Sequence, residues 1–266
     1  LAEALKVKGL MNVQLAVQHA YSENPKVYIL EVNPRASRTV PFVCKATGEP
    51  LAKIAARVMV GQTMKQQGVK VEVTPKYMCV KEAVFPFTKF LGVDPVLGPE
   101  MRSTGEVMGV GASFGEALYK AELGAGDRLP EKGTAFISVR DVDKARAVSV
   151  ATHLRDQGFN IVATRGTAAL LQHAAIPCRV VNKVSEGRPN VVDMIKNGDV
   201  QLVIATADES RTQISDARQI RQTALAQLGV VYYTTISGAA AAVEGQKHAK
   251  DVEVRSLQEL HAMNRA

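Results

Sequence analysis

Over the second half of this chain, short apolar runs alternate with segments of helical periodicity. Residues 135–139 (AFISV), 159–164 (FNIVAT), 178–184 (CRVVNKV), 200–206 (VQLVIAT) and 230–234 (VVYYT) are continuous and rich in β-branched side chains, as strands buried on both faces are. Helical patterns over 143–157, 166–174, 190–196 and 216–228 lie between them, and the Ala-rich 237–244 follows. Gly158, Gly229 and the Asn197-Gly198 pair stand where helices stop, with Pro177 just beyond the second. Strand–helix alternation of this length predicts an α/β fold. Residues 127–266 are expected to form a doubly wound, five-stranded parallel sheet.

The first half reads differently. Residues 13–17 alternate apolar and polar as a half-buried strand does. A polar turn with Pro25 leads to a second strand at 27–32 (VYILEV), whose apolar run is broken by Glu31. A polar loop is then expected, followed by a helix over 50–60 with Pro50 at its start and Gly61 at its end. Residues 1–70 are therefore an α+β segment too short to build both walls of an active site. Residues 71–126 contain a strand within KYMCVKEAVF and then many turn formers. A helix over 113–123 follows, with Ser113 as N-cap and Glu116 three residues on. This stretch keeps too much Phe, Val and Met for a free linker, and is read as a connecting segment packed between domains. Leu1, Leu5 and Val7 fall on one side of a helical pattern at the very start, which suggests a piece of a longer chain.

Composition narrows the class. Apolar residues make up 46% and charged residues 22% of the 266, enough for a core and against wholesale disorder. No apolar run approaches the roughly 20 residues of a membrane span, and the opening LAEALKVKGL lacks a signal peptide's apolar core. Cys44, Cys79 and Cys178 lie too far apart for a CxxC metal site and suit a reducing compartment. The net charge of +7 favours anions. The basic residues are scattered, and aromatics are only 5% with no Trp, so phosphorylated small molecules are favoured over nucleic acid.

In doubly wound folds ligands sit at the carboxyl ends of the strands. Here those ends carry Ser138 and Arg140, then Thr164-Arg165-Gly166-Thr167, Asn182-Lys183, Thr206 with Ser210, and Thr234-Thr235. A Thr-x-Gly-Thr turn entering a helix offers hydroxyls and free N–H groups to an anion. Lys183 adds a point charge, and Lys144 lies one turn into the first helix. The competing reading is that these Thr and Ser residues only cap helices. No nucleophile–base pair accompanies them, and His153, His173 and His248 lie in or beside helical segments, where a surface role is expected. A GxGxxG dinucleotide pattern is absent.

A second constellation lies at Glu31-Val32-Asn33-Pro34-Arg35, with Arg38 beyond. Glu31 and Asn33 are two apart on an extended chain and share a face. Oxygen donors of this kind suit Mg²⁺ with phosphate partners, Gln14 on the preceding strand could add another, and Arg35 and Arg38 could neutralise a transferring phosphate. A strand end followed by a Pro turn is the plainer alternative.

The strings GLMNVQLAV, YILEVNPRASRTVPFVCKATGEPLAKIAARVMVG, VKEAVFPF, GVDPVLGPEMRSTGEVMG, ISVRD, ATRGTA, VNKVSEGRPNVVDMIKNG and YYTT closely resemble the carboxyl-terminal part of the large subunit of carbamoyl phosphate synthetase. The resemblance covers essentially the whole chain. It implies that residues 1–70 are the end of the second ATP-grasp unit, which phosphorylates carbamate. Gln14, Glu31 and Asn33 would then hold the Mg²⁺ or Mn²⁺ that bridges ATP phosphates, and Arg35 and Arg38 would be catalytic. Residues 127–266 would be a methylglyoxal-synthase-like allosteric domain, in which Ser138, Lys144, Thr164, Gly166, Thr167, Lys183 and Thr206 hold an effector nucleotide. Bacterial members take UMP as inhibitor and IMP as activator. Glu82, Thr234 and Thr235 match the ornithine-type effector site.

The same resemblance implies several partners: the rest of the large subunit, a glutamine amidotransferase small subunit and an oligomer. It also implies a ligase consuming two ATP for arginine and pyrimidine biosynthesis. The fragment alone is expected to be inactive. Enteric bacterial members read N-T-T where this chain has Ala205-Thr206-Ala207, which puts the identity of the nucleotide in question. A stand-alone methylglyoxal-synthase-type lyase is the alternative; it needs a carboxylate base, and a pocket of only Thr and Lys speaks against it.

Overall fold

The structure is a computed structural model that describes residues 1–69, 73–84, 105–207, 211–227, 229–250 and 252–265. Ser210 and most of the GVDPVLGPEMRSTG string lie outside the described residues. The chain divides into two compact units, residues 1–76 with 253–266, and residues 77–252.

In the first unit β1 (Asn12–Gln18) and β2 (Lys26–Asn33) form an antiparallel ribbon, with a bulge between Gln14 and Leu15. Two helices follow, α1 (Thr39–Thr47) and α2 (Leu51–Met59). The expected polar loop is thus partly helical. Pro41 is the third residue of α1, where its missing N–H costs no intrahelical bond, so it is compatible with the start of the helix. The helix ends at Gly48, whose φ of 80° is left-handed. Its last carbonyls find partners on α9 (Leu257–Arg265). His261 Nε2 lies 2.8 Å from the Lys45 carbonyl, and Asn264 Nδ2 donates to that of Ala46 at 3.3 Å. The helical pattern at the start of the chain yields only turns over residues 2–6.

The second unit opens with a hairpin, β3 (Met78–Val84) and β4 (Gly105–Gly111), on which α3 (Phe114–Ala125) packs. Ser113 caps α3 by accepting from the Glu116 N–H at 3.2 Å, as expected. β4 has no sequence precedent because its glycines read as turn. The structure explains them: a Cβ on Gly109 would run into the Ala117 carbonyl of α3, so the helix lies on the strand only where side chains are missing.

Next come β5 (Thr134–Ser138), α4 (Lys144–Asp156), β6 (Asn160–Thr164), α5 (Arg165–His173), β7 (Arg179–Val181), α6 (Val191–Lys196), β8 (Leu202–Ala205), α7 (Arg211–Ala226), β9 (Val231–Tyr233) and α8 (Ile236–Gln246). The five strands are all parallel in the order β7-β6-β5-β8-β9, which bears out the doubly wound α/β expectation. Side chains alternate across the sheet with period two. Ala135, Ile137, Ile161, Ala163, Leu202 and Ile204 meet α4, α5 and α8 on one side. Phe136, Val162, Val203 and Ala205 meet α6 and α7 on the other. The strand order reverses between β5 and β8, and their carboxyl ends diverge into a crevice there.

Candidate functional site

That crevice is a cavity of about 290 Å³, near the lower end of the roughly 300–1,000 Å³ of small-molecule sites. Its polar lining comes from Ser138, Lys144, Thr164, Gly166, Thr167, Lys183 and Thr206, and its apolar lining includes Ala205, Ala217 and Ile220. Every nucleotide-site residue expected from the sequence is therefore gathered in one place.

The hydroxyls do more than cap helices. Thr164 occupies the N-cap position of α5 without making a side-chain cap bond. Its Oγ1 lies 3.1 Å from Ser138 Oγ across the two strand ends. Thr167 Oγ1 accepts from the Val139 N–H at 3.3 Å. Both threonines are almost fully buried, at 4% and 2% exposure, so their position is set by the core. Gly166 leaves the helix entrance open, since a Cβ there would meet only Lys144 Nζ at 4.0 Å. The amino end of α5, with N–H groups that no helical carbonyl satisfies, thus adjoins an ammonium group.

The expectation of a pocket with only Thr and Lys is corrected: Asp141 and Asp216 also line it. Asp141 pairs with Lys144 at 2.7 Å, and the hydrogen bond and charge of Lys144 hold its carboxyl below the ordinary carboxylate range. Asp216 accepts from Ser185 Oγ at 2.7 Å. The helix expected over 216–228 begins at Arg211, so Asp216 lies inside α7, and its place at the crevice depends on tertiary packing that no local signal shows.

Thr235 is different. Its Oγ1 accepts from the Gly238 N–H at 3.1 Å and so caps α8, while Thr234 is exposed. Glu82 on β3 belongs to a group with Glu122, Asp127 and Tyr233, of which the sequence pointed only to Glu82. Glu122 is 8% exposed and accepts from the Tyr233 hydroxyl at 3.0 Å. Burial pushes its carboxyl up to about 7, against the Tyr233 hydrogen bond and with help from the charges of Glu82 and Asp127. Burial likewise raises Glu82, with Asp127 adding to it, and raises Asp127.

In the first unit, Gln14 stands opposite Glu31 across the ribbon, and Asn33 Nδ2 donates to Glu31 Oε1. The three expected metal ligands are thus neighbours. Arg35 Nη1 donates to the Ala36 carbonyl at 3.0 Å, and Arg38 directly precedes α1. Among the described residues no cluster of three or more His, Cys, Asp or Glu exists. Here one carboxylate stands beside two amides, a partial oxygen set for a hard cation that wants about six ligands. No helix among the described residues is long and apolar enough to cross a membrane.

Comparison with known proteins agrees with both halves of this picture. Residues 1–67 match the family model described as carbamoyl-phosphate synthase L chain, ATP binding domain, and residues 146–234 match the MGS-like domain. The carbamoyl phosphate synthase large chain of Ralstonia nicotianae is 63% identical over 262 residues, 98% of this chain and 24% of that protein. The chain belongs to the carbamoyl phosphate synthase large-chain family. It corresponds to the carboxyl-terminal part of that family's large chain. The large chains of Xanthomonas campestris pv. campestris and Pasteurella multocida are 57% and 55% identical over 261 residues, again 98% of this chain and 24% of each relative. The chain therefore spans about a quarter of the length of these members of a ligase family.

Proposed function

We propose that this chain is the effector-binding end of a carbamoyl phosphate synthase large chain, with residues 127–266 as its allosteric domain. The observation that carries the reading is the convergence of Lys144, Lys183, Thr164 and Thr167 on the amino end of α5. Cations, hydroxyls and free N–H groups in one crevice suit a phosphate. The apolar patch of Ala205, Ala217 and Ile220 beside them suits the base of a nucleotide such as UMP or IMP. Glu82, with Thr234 and Thr235, would serve an ornithine-type cationic effector.

In the same reading residues 1–70 contribute to the ATP site that phosphorylates carbamate, and residues 71–126 connect the two. Glu31, Asn33 and Gln14 would hold the Mg²⁺ or Mn²⁺ that bridges ATP phosphates, and Arg35 and Arg38 would face the transferring group. The remaining three quarters of the large chain, the glutamine amidotransferase subunit and further copies would be its partners in the cytoplasm. By itself the chain should make no carbamoyl phosphate from ATP. Effector control needs two states with different affinity, so this piece reports binding only.

Calorimetric titration of the 266-residue chain with inorganic phosphate, UMP and IMP tests the reading. Saturable binding that weakens in Lys183→Ala supports it; failure of all three to bind rejects it. Asp141 and Asp216 at the crevice keep the lyase alternative open, because they supply the carboxylate it needs. Phosphate release from a small phosphorylated ketone, lost in Asp216→Asn, would favour that alternative.

A further inference from the structure

Thr206 stands in the crevice lining, yet its hydroxyl is already engaged. Its Oγ1 accepts from the Arg140 N–H at 3.0 Å, and the hydroxyl lies near enough to Asp143 to favour the charged carboxylate. The circuit closes through Arg140, whose Nε donates to Asp143 Oδ2 at 2.7 Å. The Thr206 N–H in turn donates to the Ser138 carbonyl at 3.0 Å. The loop from β5 to α4 is thereby pinned at both ends to the terminus of β8. Asp143 is buried, at 8% exposure. Burial opposes its ionisation, and the Arg140 hydrogen bond and the nearby Thr206 hydroxyl outweigh that and hold its carboxyl below the ordinary range. Lys144 is the next residue and the first of α4.

We propose that Thr206 is a positioning residue rather than an anion ligand: with Asp143 and the Arg140 backbone it fixes the turn that aims Lys144 into the crevice. The proposal rests on the phosphate-site reading above and refines it. It makes the single hydroxyl left in Ala205-Thr206-Ala207 a part of the frame, so the groups that touch phosphate are those of β5, α4, α5 and the Lys183 turn.

The test is a cycle of variants of the full chain, titrated with inorganic phosphate and with UMP: Thr206→Val, Thr206→Ser, Asp143→Asn and the Thr206→Val/Asp143→Asn pair. Thermal melts confirm that each is folded. Thr206→Val should weaken binding about tenfold, as should Asp143→Asn, and the pair should be no weaker than either alone, since both break one circuit. Thr206→Ser should restore binding. Additive losses in the pair would mean that Thr206 touches the anion directly and would overturn the proposal, as would unchanged binding in Thr206→Val. Hydrogen exchange at the Arg140 amide gives a reading independent of any ligand: protected in the unaltered chain and in Thr206→Ser, fast in Thr206→Val. If the unaltered chain binds neither probe, the phosphate-site reading fails; an Arg140 amide whose exchange does not change in Thr206→Val removes the circuit itself.

Discussion

Along β6 every residue from Ile161 to Thr164 is buried, whereas along β2 everything from Lys26 to Glu31 is exposed, including Val27, Tyr28, Ile29 and Leu30. Both strands end in residues suited to phosphate chemistry. The first is an inner strand of a five-stranded sheet with helices on both faces. The second belongs to a two-stranded ribbon, an arrangement of marginal stability by itself. The contrast separates having the right side chains from having a site. Thr164 and Thr167 are held to a fixed position by packing and by partners at the carboxyl end of β5, Ser138 and the Val139 N–H. Gln14, Glu31 and Asn33 meet one another on the two-stranded ribbon. The exposed apolar residues of the ribbon fit the proposal that more of the large chain packs there.

The sharpest way to break this comparison is through the core. Phe136 is fully buried in the layer between the sheet and α6–α7. Phe136→Ala should cost about 3–5 kcal/mol. In hydrogen exchange, protection should fall together across β5, β6 and β8, with the first unit's amides unchanged. Collapse of protection in both units at once would mean that the two fold as one.

Next in size are the charges. Replacing Lys183 by Ala removes a charge-assisted contact worth about 1.5–3 kcal/mol, or roughly 10–100-fold in phosphate affinity. Arg35→Ala in the first unit should leave that affinity unchanged. Equal losses from the two would show that the chain has one anion site rather than two separate ones.

The acidic group beside α3 gives a pH signature. Glu122 titrates near 7 in the folded chain, above its ordinary value of 4.5. Between those values the folded state holds a proton that the unfolded state has lost, so stability falls as pH rises from about 4.5 to 7. Screening and relaxation limit the change to on the order of 1–2 kcal/mol. Glu82, Asp127 and Tyr233 face the same group. Denaturant titrations across that range should show the decline, and Glu122→Gln should flatten it. A slope that survives in Glu122→Gln would place the titration on Glu82 or Asp127.

How much of this was legible follows from where the information resides. The parallel strands announce themselves because burial on both faces demands continuous Val, Ile, Leu and Ala, and the ends of those strands pointed to most of the hydroxyls and cations that the crevice collects, though not to Asp141 or Asp216. Gly109 misled because a glycine required by a helix crossing looks like a turn. The polar loop expected ahead of residue 50 left no place for α1, whose first turn accommodates Pro41 where a helix interior would not. Glu122 and Asp216 were invisible because each sits in an ordinary amphipathic helix. Glu122 faces Tyr233, 111 residues away along the chain, and Asp216 reaches Ser185, 31 residues away. The motif strings carried the first unit further than its geometry does. Gln14 opposite Glu31 is a register fact, and the alternation of residues 13–17 with 27–32 did not set the bulge that fixes it.

The smallest effect is the most telling about the ribbon. Leu15 and Ile29 face each other across β1 and β2, and each is 53% exposed. In a core, such a pair would cost several kcal/mol to truncate. Here Leu15→Ala should change stability by no more than about 0.5 kcal/mol, as for a surface site. The same substitution in a complete large chain should cost about 2–5 kcal/mol if the missing sequence buries the pair. The measurement is therefore made twice, by denaturant unfolding of this chain and of the full-length protein. A small cost in both would mean that the ribbon's apolar face stays open to solvent, and the proposed metal ligands at its end would then lack the wall that the proposed ATP site requires.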